Sequence, residues 1–152
     1  MAGNDQRLFT IGVFKDVAWA ERGLEALKEQ RFPREALSVI TRDGVEAAAL
    51  VERVLGAAPA RLTLPRLGPV VATGTLVAAL DGSAGDLARL GLAAAMTRAG
   101  FQAHDGQIFE ALTAKGGVLV AIDGEPRAAD ALGVLHSYGG ANAAIGAWSG
   151  RV

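Results

Sequence analysis

The stretch Leu8 to Phe14, LFTIGVF, carries apolar side chains on successive rather than alternate positions, the pattern of an interior strand buried on both faces. The fold has to be built around such a segment. Asp16 stands where it can cap a helix running to Arg31, and Ala20, Gly23, Leu24 and Leu27 follow the i, i+3, i+4, i+7 stripe of a buried helical face. Glu21, Glu25, Lys28 and Glu29 fall off that stripe and read as a solvated surface. Phe32-Pro33 ends the helix, because proline disfavours the helical conformation in the residue before it, and Leu37 to Thr41 reads as a second strand. Residues 8–41 are thus predicted to form a βαβ unit.

Asp43-Gly44 marks a turn, after which Ala47, Leu50, Val51, Val54 and Leu55 predict a connecting helix that stops at Gly56 and Pro59. Next comes an apolar, glycine-punctuated middle, Leu64 to Gly85, LPRLGPVVATGTLVAALDGSAG. Its segment Leu64 to Leu80 is expected to add a strand, or a hairpin about Gly74, with the glycine permitting close backbone approach. Ser83, with Asp86 three positions on, resembles a capping box opening a helix whose Leu87, Leu90, Gly91 and Ala94 share a face and which closes at Gly100. Asp105 is expected to cap another helix that buries Ile108, Phe109 and Leu112 and stops at Gly116-Gly117. A strand from Val118 to Ile122, a helix with Pro126 in its first turn, and a strand from Ala143 to Trp148 complete a second βαβ unit over 117–148.

A single ungapped shift lays Ile11 on Leu119, Val13 on Ala121, Leu24 on Leu132, Leu27 on Leu135, Leu37 on Ile145 and Ile40 on Trp148, so the two units read as related copies. Two βαβ units in one sheet are the components of the ferredoxin-like split-βαβ fold, in which the first strand of each unit lies centrally. The predicted class is therefore α+β: one domain over 1–152, a ferredoxin-like sandwich with a helical, glycine-rich insertion at 43–115.

The pattern GVFKDVAWAERGLEALKEQRFPREALSVI, followed by LPRLGPVVATGTLVAAL, IFEALTAKGGVLVAI and a closing YGG, resembles bacterial general stress proteins of the YflT-like, heat-induced type. The resemblance implies stress-linked expression and no established enzymatic activity.

Composition narrows the function further. Fifteen Lys and Arg against sixteen Asp and Glu leave no basic field to displace counterions from a phosphate backbone, which argues against nucleic acid as a partner. The chain has no cysteine, which removes disulfides, thiolate metal sites and cysteine nucleophiles together and suits a cytoplasmic location. No secretory h-region stands near the start. Leu67 to Leu80 is shorter than the roughly 20 residues a membrane span requires, and Ala131 to Gly150 is interrupted by His136, Ser137, Gly139, Gly140 and Asn142.

His104 and His136 lack the spacing by which one helix presents two metal ligands, and neither a G-x-S-x-G elbow nor a phosphate-binding loop is present. No catalytic residue, cofactor or metal site is expected. The residues most suited to a ligand or an interface are Gly68, Pro69, Gly74, Ser83 and Gly85 in the middle stretch, with the aromatic Trp19 and Trp148. The expected function is non-enzymatic: a stress-associated domain acting by self-association, as a homo-oligomer, or by docking to a protein partner. The alternative is a module that senses a small molecule or anion in a pocket near Gly68–Gly85.

Overall fold

The computed structural model describes residues 6–56, 58–82, 85–99, 101–123 and 145–151. Strand β1 (Gln6–Phe14) leads to Asp16, whose extended backbone and side chain accepting from Trp19 N at 2.9 Å start helix α1 (Val17–Glu29). Ala20, Gly23, Leu24 and Leu27 are its buried face, as their spacing predicts. Past Pro33 a 3-10 turn (Arg34–Ala36) feeds β2 (Leu37–Arg42). Helix α2 (Val45–Leu55) buries Ala47, Leu50, Val51, Val54 and Leu55 and ends at Gly56, whose φ of 66° is a left-handed cap. The later elements are β3 (Arg61–Leu64), β4 (Gly68–Thr73), α3 (Thr75–Asp81), α4 (Asp86–Leu90), α5 (Leu92–Arg98), α6 (Ala103–Ala114), β5 (Val118–Asp123) and β6 (Ile145–Arg151).

The six strands among the described residues form one sheet in the order β3-β4-β2-β5-β1-β6, and every neighbouring pair is antiparallel. The fold is α+β. Strands β1 and β5 lie side by side near the centre, in register from Phe9 opposite Asp123 to Phe14 opposite Val118. Because side chains alternate across a strand, consecutive apolar residues supply two cores. Phe9, Ile11 and Val13 join Leu119 and Ala121 on one face, where Leu76, Leu80, Leu87, Leu92, Met96 and Phe109 of α3 to α6 cover them. Phe14, Val118, Val120 and Ile122 face the other way, against Leu24 and Leu27 of α1 and Leu50, Val51 and Val54 of α2. Arg53 of α2 reaches Glu21 of α1 at 2.8 Å across the outside of that layer.

The middle stretch differs from expectation. Its hairpin turns at Pro65–Leu67, between β3 and β4, rather than about Gly74, and Thr75–Asp81 is helix rather than strand. Gly74 is the joint between the two. Its φ is 119°, and a Cβ there would overlap Ser38 Oγ, lie 2.5 Å from Ser38 Cα and 2.6 Å from Leu37 O. The backbone of β4 leaves the sheet directly over β2, and buried Ser38 Oγ accepts from Leu76 N at 3.0 Å to anchor the first turn of α3.

The helix expected to run to Gly100 is broken at Gly91, which has φ 94° and lies close to Pro65, so α4 and α5 are separate. Leu90 faces out as a result. Helix α6 is entered from Gln102, so Asp105 sits in its first turn, paired with His104 at 3.3 Å, instead of capping it. Its buried residues are Gly106, Phe109, Glu110 and Thr113, whereas Ile108 is exposed. Ser83, Gly100 and the helix expected after Pro126 lie outside the described residues.

The close approach at Gly74 predicts that Gly74→Val lowers stability by roughly 3 kcal/mol or more, since left-handed strain and overpacking act together. Urea denaturation measures it, and an unchanged midpoint would show that the contact with Leu37 and Ser38 carries no strain.

Candidate functional site

The residues singled out from the sequence do not converge. Gly68 and Pro69 begin β4 and Gly74 follows its far end, roughly 20 Å away at the rise of an extended strand. Gly85 precedes α4 with a φ of 69° and open space where a Cβ would stand. Trp19 lies on α1, on the opposite side of the sheet from α3 to α6, with the Arg22 guanidinium 5.2 Å from the centre of its ring. Trp148 is in β6, opposite Phe9 of β1. Ser83 lies outside the described residues.

Two buried carboxylates organise the layer formed by α3 to α6: Asp86, which the sequence suggested only as part of a capping box, and Glu110, which it did not bring forward. Asp86 is paired with both Arg89 and Arg98, and Arg98 also donates to Leu80 O at 3.3 Å. Asp81 Oδ1 accepts from Leu87 N at 3.3 Å, so the ends of α3 and α4 are tied to each other and to α5. Glu110 of α6 accepts from Ala93 N at 3.2 Å through Oε2, satisfying one of the free amides at the start of α5. Its Oε1 lies 3.6 Å from Arg66 Nη1 in the hairpin turn. The signal for Glu110 was its place four residues after Gly106 and three before Thr113, on the stripe that proves to be buried.

Among the described residues, three cavities open beside these elements. One of about 540 Å³ lies between the ends of β1 and α6, with Lys15 and Lys115 at its rim and Phe14 and Leu112 in its wall. A second of about 500 Å³ surrounds Gly74, lined by Arg34, Glu35, Leu37, Leu55, Thr73 and Thr75. The third, about 240 Å³, lies between the hairpin turn, α5 and α6 and contains Arg66, Gln107 and Glu110. Among the described residues no cluster of three or more His, Asp or Glu side chains is placed to hold a metal ion, and no helix is long and apolar enough to cross a membrane.

No family model, no curated protein and no solved structure matches the chain.

Because Asp86 is buried while Arg89 and Arg98 are about half exposed, their losses should be unequal. Asp86→Ala is expected to cost about 1–3 kcal/mol by removing two charge-assisted contacts, and Arg89→Ala less than about 1 kcal/mol, as for an exposed pair. Equal denaturation midpoints for the two variants would contradict the role given to Asp86.

Proposed function

We propose that this is a non-enzymatic, stress-associated cytoplasmic domain that works by pairing with a second copy of itself through strand β6. The observation that carries the reading is the difference between the two edges of the sheet. Edge strand β3 has four residues, and its Arg61 is held by Asp43 at 3.1 Å, so it is short and charged, as protected edges are. Edge strand β6 has seven residues, IGAWSGR, with no proline and only its last residue charged. One side of β6 pairs with β1 from Gln6 opposite Arg151 to Gly12 opposite Ile145, and among the described residues no strand lies on the other. Two such edges brought together antiparallel about a two-fold axis present the same groups to each other, so each unpaired N–H meets a carbonyl of the partner copy.

The ferredoxin-like assignment and the internal repeat belong to the same proposal. In their support, β1 and β5, the first strands of the two units, are adjacent, with β2 and β6 outside them. The resemblance to YflT-like stress proteins supports the stress association and supplies no reaction.

A second reading, a small-molecule or anion-binding module, draws on the cavity around Gly74. Among the described residues Arg34 at its edge forms no ion pair, and the buried hydroxyls of Thr73 and Thr75 have no hydrogen-bond partner. A carboxylate- or phosphate-bearing ligand there would raise the melting temperature, by the equivalent of about 2.7 kcal/mol at a hundred times its Kd.

Light scattering with mass determination tests the pairing: a dimer is expected, in concentration-dependent exchange with monomer. Backbone N–H groups alternate sides along a strand, so of Gly146→Pro and Ala147→Pro one removes a donor from the outer edge and the other from the β1 ladder. The outer variant should be a folded monomer. A wild-type chain that stays monomeric at high concentration would dismiss the reading.

A further inference from the structure

Arg66 is one of two non-glycine residues with positive φ among those described, at 72° in the turn between β3 and β4. A left-handed backbone costs a side-chain-bearing residue free energy and is found preferentially where function holds it in place. The Arg66 side chain is 79% exposed, yet its guanidinium faces Glu110, whose side chain is only 8% exposed. Glu110 Oε2 is occupied by Ala93 N, while Oε1 accepts no hydrogen bond from the described residues, the Arg66 nitrogen at 3.6 Å being beyond bonding distance. One oxygen of this nearly buried carboxylate thus borders a cavity with only a loosely held cation in front of it.

We propose that this cavity binds a short alkyl chain ending in an ammonium or guanidinium group, which displaces the Arg66 guanidinium from Glu110. Its 240 Å³ is below the 300–1,000 Å³ typical of drug-sized ligands, which restricts the guest to a few carbons. Leu90, Ala93, Ala94 and Ala103 provide a wall suited to methylene groups, and Gln107 adds a neutral amide. The Thr97 hydroxyl, which donates to Ala93 O at 3.1 Å, has its proton engaged already. Arg66 and Glu110 are the only charged residues in the lining among those described, so an incoming cation can take the place of the Arg66 guanidinium against Glu110, whereas an anion would meet the Glu110 carboxylate. A charge-assisted hydrogen bond to Oε1 replaces a distant contact. This inference is independent of pairing through β6.

Titration calorimetry and thermal shift with butylguanidinium, using butanol and butyrate as neutral and anionic counterparts, test it on the whole chain. The wild type should bind butylguanidinium saturably. Arg66→Gly suits the left-handed turn and removes the resident competitor, so affinity should rise about tenfold. Glu110→Gln keeps an acceptor for Ala93 N and should abolish binding. Failure of Arg66→Gly to bind saturably, equal binding of butanol, or undiminished binding by a folded Glu110→Gln chain would each overturn the proposal. If Glu110→Gln does not fold, Glu110→Asp withdraws the carboxylate by one methylene, and an affinity equal to wild type would overturn it equally.

Discussion

Everything in this molecule depends on a sheet whose central strands are apolar on both faces. Burying a large aliphatic or aromatic side chain stabilises by roughly 1.5–3 kcal/mol, but β1, β2 and β5 collect that stabilisation only if helices cover both sides. The chain meets the requirement unequally. On one side, the longer helices α1 and α2 have well-defined stripes and their own caps. On the other, α3, α4 and α5 have seven, five and seven residues, too few to hold helical structure in isolation, and they depend on the sheet beneath them.

That dependence explains where the polar interactions are concentrated. Short helices have a high proportion of unsatisfied end groups, and here side chains from other elements satisfy several of them: Ser38 for Leu76 N, Asp81 for Leu87 N, Glu110 for Ala93 N. The carboxylates and hydroxyl do for this layer what a local cap such as Asp16 does for α1. Glycines at 74 and 91 supply the backbone bends between successive pieces, each where another segment of chain passes close by.

The same contrast explains how much could be read from the sequence. The first βαβ unit and α2 were legible because their information is local: Asp16, Pro33 and Gly56 mark ends, and the stripe from Ala20 to Leu27 spans enough turns to show its period. TLVAAL after Gly74 is too short to separate a helical from an extended period, and its start is set by Ser38, far away in sequence. The turn at Arg66 carries no glycine or asparagine at the left-handed position, so proline and the following Gly68 gave no reason to place the hairpin there. Glu110 drew no reading from the sequence because its partner, Ala93 N, belongs to another element. Gly74 permits the close backbone approach expected of it, though in a joint between strand and helix rather than within a hairpin.

The strand order also has a temporal side. Phe9 pairs with Asp123 on one side and Trp148 on the other, so the earliest strand in the chain has its partners among the latest. During synthesis β1 emerges with both apolar faces bare and must wait for nearly the whole chain before its ladder closes, while β2, α2, β3 and β4 can already assemble with one another. Such distant pairings slow folding and lengthen the time for which a sticky segment stays accessible. For a protein of this topology, the interval on the ribosome is the period when β1 most needs shielding from other chains.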